Sequence, residues 1–166
     1  MDKMEKYIRD GKSGMTPIVK TVVRFVMGII FIFGAYVVLY GHLTPGGGFA
    51  GGVILACGFI ILTLAFGKGL ALSKFSDKWA SIIDNSAALI FLTIGFIGFS
   101  GGYFFMNILG KGKEFALFSA GTIPLCNIAI GLKVTASVFA VFLTLSIFGR
   151  FVSKLVDDYE DDTEKE

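Results

Sequence analysis

Four long apolar runs, with a glycine-rich insert between the first two, constrain this chain more than any other feature. Phe25–Tyr40 gives 16 residues without a charge, Phe49–Phe66 gives 18, Ala87–Met106 gives 20, and Leu125–Phe148 gives 24 with Lys133 inside. A helix needs about 20 predominantly apolar residues to cross roughly 30 Å of hydrocarbon. Water-soluble domains do not usually carry four such runs. Hydrocarbon offers backbone amides no partner outside the segment, and each run far exceeds a barrel strand, so the runs read as helices. The expected fold is an all-α membrane protein with four transmembrane helices. Its expected parts are an amino-terminal arm over 1–17, a four-helix transmembrane domain over 18–150, and an acidic tail over 151–166.

Composition agrees: 54% of the 166 residues are hydrophobic and the mean hydropathy is +0.76, values of a membrane protein rather than a soluble one. The first 17 residues are polar and charged, so the first span is expected to direct insertion itself. Orientation follows from the basic residues. With four spans, twelve lysines and arginines fall on the side shared by the two termini and the connection after span two. Only Lys111 and Lys113 fall on the other. That bias puts both termini in the cytoplasm of a multi-pass cell-membrane protein. Trp79 and Tyr103 flank span three as interfacial aromatics do. Asp157 to Glu166 holds seven acidic residues and reads as a solvated, disordered tail.

The insert reads Tyr40-Gly41-His42-Leu43-Thr44-Pro45-Gly46-Gly47-Gly48-Phe49-Ala50-Gly51-Gly52. Thr44 could cap a helix start with Pro45 in its first turn. Non-helical backbone at membrane depth is tolerated only where it is buried in protein or lines water. The loop is therefore a tight turn for close packing or the wall of an ion path. A phosphate cradle fits poorly, since no strand precedes the glycines and no Lys-Ser/Thr follows. Small residues four apart (Gly47/Gly51, Gly48/Gly52, Gly98/Gly102, Ala136/Ala140) suggest close helix faces.

Few side chains could carry chemistry. His42 sits in the loop, as a proton relay or a simply solvated histidine. Lys133 is eight residues into span four, about 12 Å below the outer boundary, where an ionisable group is either functional or structurally paired. Asp84 and Asn85 stand at the expected cytoplasmic start of span three, where a helix cap is the simpler reading and ion binding the alternative. With Asp84 near one face and Lys133 nearer the other, no carboxylate of this chain is expected at the lysine's depth. Lys133 is then expected to face another subunit's acid or a hydrated path. Lys20 and Arg24 are expected to snorkel to anionic headgroups. Cys57 and Cys126 lie alone in separate spans and read as small packing residues. No catalytic constellation, metal cluster, cofactor or nucleic-acid site is expected.

Two segments carry a resemblance. Gly41-His42-Leu43-Thr44-Pro45-Gly46-Gly47-Gly48-Phe49-x-Gly51-Gly52 and Pro124-Leu125-x-Asn127-Ile128-x-Ile130-Gly131-Leu132-Lys133-Val134 resemble the B subunit of multisubunit Mrp/Mnh-type Na+/H+ antiporters. The likeness covers most of residues 20–150. It implies a four-span accessory subunit of a larger assembly, with other antiporter-module subunits as partners and Na+ and H+ as the ions of the complex. Similar modules occur in archaeal membrane-bound hydrogenase-type complexes, so redox subunits are further implied partners. Thr44, Pro45, Gly46, Gly47, Gly48 and Phe49 are the implied packing loop, and His42, Lys133 and Asp84 the residues to weigh for an ion path. Span three departs from the pattern: a carboxylate, a small residue and a glycine are expected where the chain has Asp84-Asn85-Ser86-Ala87. Two other readings stay open, a homo-oligomeric small cation channel with the loop as filter, and a purely structural subunit of a redox-driven pump.

Overall fold

The computed structural model describes residues 15–67, 77–109, 112 and 120–163, and leaves out the side chains at 77–80, 147, 150, 151 and 153–163. The arm through residue 14, the basic connector 68–76, the charges Lys111, Lys113 and Glu114, and the end of the acidic tail lie outside the described residues.

Among the described residues four helices follow in order: α1 Pro17–Leu39, α2 Gly48–Phe66, α3 Asp77–Ile97 and α4 Ile123–Thr163, with a 3-10 turn, Gly98–Gly101, closing α3. All four are long and apolar enough to cross a membrane, over Pro17–Leu39, Gly48–Phe66, Ser81–Gly101 and Ile123–Ser146. Pro17 starts α1 at a position where its missing N–H costs nothing. Pro124 does the same service in the first turn of α4.

α1, α2 and α4 pack together, with α2 against both of the others; α3 packs chiefly on α4. The core is made of small and β-branched residues. Val37, Val38, Ala56, Ala65, Ala129 and Ala136 are buried, and Phe139 is the one large side chain fully so among the described residues. Phe59 links Phe31 of α1 to Phe139 of α4, with ring centroids 4.9 and 5.8 Å apart. Only 22%, 33%, 17% and 33% of the four spans are buried within the chain, so most of their surface must meet lipid or other protein.

Two boundaries differ from the sequence reading. Span three is displaced toward the amino terminus: helix begins at Asp77 rather than Ala87, and it ends at the 3-10 turn before Tyr103. The run through Met106 is apolar but not one helix. It doubles back, with the Phe105 N–H donating to the Gly95 carbonyl at 3.2 Å and Gly102 in a left-handed conformation at φ 107°. Gly98 and Gly102 thus make a turn, not a helix-packing stripe. Phe91, Phe96, Phe99, Phe104 and Phe105 cluster around that turn. The second difference is at the carboxyl end, where α4 runs on as helix to Thr163. The acidic stretch from Asp157 to Thr163 is therefore helical where a disordered tail was expected.

Candidate functional site

Residues i and i+4 share a helix face, which aligns Lys133 and Ser137 on α4. Asp84 meets both from α3. Lys133 Nζ donates to Asp84 Oδ1 at 3.0 Å, and Ser137 Oγ donates to the same oxygen at 2.6 Å. The expectation that Lys133 lacks a carboxylate of its own chain is therefore corrected. The displaced start of α3 is the reason. With helix beginning at Asp77, Asp84 stands seven residues along it, about 10 Å in, and does not cap the helix start.

Lys133 also lies near the middle of the α4 span Ile123–Ser146. A charged side chain at a helix centre costs about 2.5–3.5 kcal/mol on insertion scales. Pairing with a carboxylate that is itself hydrogen-bonded offsets part of that cost. The pair is nevertheless not sealed inside the chain, since the side chains keep 46% and 28% exposure. An ion pair at this depth that opens on lipid would leave polar atoms in hydrocarbon.

The glycine loop is built differently from its sequence reading. α2 starts at Gly48, with Gly47 as its cap residue at φ 116° and Gly46 at φ 149°. Both angles are ones that side-chain-bearing residues rarely adopt. Thr44 does not cap α2. Its Oγ1 donates back to the Tyr40 carbonyl at 3.1 Å, and its N–H donates to the same oxygen at 2.9 Å, closing the end of α1. Pro45 is in the loop and outside the first turn of α2. The next glycines are contact points. A Cβ on Gly48 would run into the Asn127 carbonyl of α4. One on Gly51 would come within 2.9 Å of the Gly34 carbonyl of α1, and one on Gly52 within 2.7 Å of the Gly131 carbonyl of α4. Thr135 Oγ1 uses the close approach, bonding Gly52 O at 3.1 Å across the helices and Gly131 O at 2.7 Å within its own. Phe49 points away from this packing and is 68% exposed.

His42 is half-buried in the loop between α1 and α2. Asn127, which meets Gly48 just after that loop, is six residues before Lys133, about 9 Å along the α4 axis. The structure brings Asp84 and Lys133 together but leaves His42 apart from them. Cys126 is half-buried, as a packing residue should be, whereas Cys57 is exposed. Arg24 stacks over the Phe66 ring at 5.9 Å. Among the described residues no group of three His, Cys, Asp or Glu could hold a metal. Sequence reasoning missed Ser137 and Thr135, and had Asn127 only as one position of a resembling segment. The spacing of four from Lys133 could have flagged Ser137, but nothing local distinguishes Thr135.

Residues 18–140 match the family model described as a domain related to the MnhB subunit of Na+/H+ antiporter. An uncharacterized protein of Methanocaldococcus jannaschii is 37% identical over 87% of this chain and 58% of its own length. A Staphylococcus haemolyticus protein named for antiporter subunit mnhB2 is 30% identical over 78% of this chain and 93% of its own. A chain in the structure of the membrane-bound sulfane sulfur reductase, an archaeal respiratory membrane complex, superposes with a TM-score of 0.69. It is 29% identical, over 81% of this chain and 59% of that one. The chain thus spans less than two thirds of the archaeal relatives and nearly all of the staphylococcal one.

Proposed function

Because the chain belongs to the MnhB family of Na+/H+ antiporter subunits, we propose that it serves a cation/proton antiport module as an accessory subunit for ion translocation and assembly, with Na+ as the cation. It is a multi-pass membrane subunit of an antiporter-type module. The observation that carries the finer reading is the Asp84–Lys133–Ser137 constellation. A lysine at mid-span, paired by its own chain yet half open on one side, can respond to charge next to it in the assembly. An ion or proton passing nearby would change how firmly Asp84 holds the ammonium.

The glycine loop supports a subunit over a homo-oligomeric channel. A filter needs backbone carbonyls facing a pore, while Gly48, Gly51 and Gly52 are taken up by contact with α1 and α4. The likeness to a sulfane sulfur reductase complex favours a second reading for the parent assembly, a redox-driven pump in which the same module is coupled to electron transfer. In that assembly too the chain is non-catalytic. The positive-inside bias supports cytoplasmic termini in either case.

The test is a double-mutant cycle in the intact complex. Lys133→Met strands a carboxylate, Asp84→Asn strands an ammonium, and the two together remove both charges. If the pair acts in transport, the double variant assembles better than either single one and still loses Na+-dependent antiport. Wild-type antiport from an assembled double variant would reduce the pair to a structural feature. Failure of the wild-type chain to co-purify with antiporter subunits would overturn the subunit reading itself.

A further inference from the structure

Lys133 heads a flank of α4 that is exposed at Val141, Thr144 and Phe148 and half-buried at Ser137. Helical register places Ser137, Val141, Thr144 and Phe148 below it at steps of three or four residues. Val141 is 59% exposed and Phe148 is 63% exposed, and Thr144 is exposed as well. On the neighbouring helix Asn85 and Ser81 are exposed, and Asn85 Nδ2 reaches Ser81 Oγ at 3.4 Å. This surface has the wrong chemistry for lipid. It sets an ammonium, a carboxylate and an amide side by side on spans of membrane-crossing length, and hydrocarbon satisfies none of them.

The hydrogen-bond inventory says what is wanted there. An ammonium has three donors and no acceptor. Among the described residues Lys133 gives one donor to Asp84 Oδ1, and that oxygen also takes the short bond from Ser137. The lysine head therefore spends one donor on an oxygen it shares with Ser137 and has two more that call for an acceptor. We propose that this α4 flank is the docking face for a transmembrane helix of another subunit, one that brings a carboxylate to Lys133. The inference rests on the reading of the chain as a subunit of a larger module. Ala140 and Val141, two turns further along the same helix, suit close helix contact beside the charge.

The experiment uses the whole complex in native membranes. A photo-crosslinking amino acid replaces Val141 in one variant and Ile32 of α1, 75% exposed, in another as a comparison site. The expected result is one protein adduct from position 141, mapping to a transmembrane segment that contains an Asp or Glu. A charge exchange follows: Lys133→Glu lowers complex yield at least several-fold, and Lys in place of the mapped acid restores it. Adducts from position 141 only to lipid would overturn the proposal. So would reaction of Lys133→Cys with a water-soluble thiol reagent in the assembled complex, which would indicate a hydrated path. A mapped segment without a carboxylate would do the same. In each case intact co-purification and antiport by the wild-type complex would leave the subunit reading standing.

Discussion

Gly52→Ala sets two physical effects of opposite sign against each other. In an exposed helix interior, alanine is better than glycine by roughly 0.8–1.0 kcal/mol. At Gly52 the new methyl would stand 2.7 Å from the Gly131 carbonyl oxygen and 2.8 Å from Val134 Cβ, against about 3.5–4.0 Å for optimal carbon contacts. The first obstacle is backbone, so it cannot swing aside, and α2 and α4 must part. Overpacking of this kind costs about 1–3 kcal/mol. Separation also strains the Thr135 bond to Gly52 O, and such interhelical bonds in membrane proteins average about 0.6 kcal/mol. Weighing these, the net expectation is a loss of about 1–2 kcal/mol, a factor of roughly 5–30 in the folded-to-unfolded ratio. Gly28→Ala in α1 is the matched control, because nothing lies within 4 Å of its added methyl. Reversible unfolding of the two variants in detergent micelles gives the comparison. Equal stability of Gly52→Ala and Gly28→Ala would refute the close-contact argument for the loop and the start of α2.

Other expectations follow from the same geometry. Gly47→Val forces a β-branched residue into φ 116° and should lower complex yield by far more than Phe49→Ala, whose side chain is outside the packing; immunoblotting of assembled complex reads both. Thr44→Val loses the bond to the Tyr40 carbonyl and should lower stability by about 0.5–1.5 kcal/mol, measured in the same micelle assay. Ser137→Ala leaves Lys133 as the one partner of Asp84 Oδ1, so Na+-dependent antiport should fall while the complex still forms; unchanged antiport would remove Ser137 from the site. For orientation, Lys12→Cys and Glu160→Cys should resist an impermeant thiol reagent in intact cells, and Gly112→Cys should react where no partner covers it. Labelling at both termini would reverse the topology.

The spans were legible because hydrophobicity over 16 to 24 residues is imposed by the bilayer and does not depend on tertiary context. The packing faces around the loop were legible for a related reason. Gly48 and Gly52 lie four apart, and only a residue without a side chain lets α2 reach the carbonyls of Asn127 and Gly131. What the sequence could not supply was the division of work inside the insert. Thr44 and Pro45 have the chemistry of a helix start, yet Thr44 closes α1 because both its hydroxyl and its N–H donate to the Tyr40 carbonyl. The left-handed Gly46 and Gly47 then carry the chain to the actual start of α2. A capping residue reads the same at either end of a short loop, and only the path of the backbone decides which helix it serves.

The pairing of Asp84 with Lys133 was hidden by hydropathy itself. A window that seeks apolar residues starts span three after the polar Asp84-Asn85-Ser86 and runs it on through the phenylalanines to Met106. Helix geometry does otherwise. The turn at Gly98–Gly102 folds the last aromatic residues back along α3, and helix extends ten residues the other way, to Asp77. The displacement draws the polar triplet inward until it meets the middle of α4. Asp84 is then some 13 residues from the end of α3, about 20 Å, while Lys133 is ten from the start of α4, about 15 Å. α3 therefore overhangs α4 on that side by about one turn. The ion pair and this overhang express one register between the two helices, and the fold-back at Phe105 is where the overhanging chain returns along α3. Lengthening the turn at Gly102 should consequently loosen the register between α3 and α4 and weaken the Asp84–Lys133 bond without touching either residue.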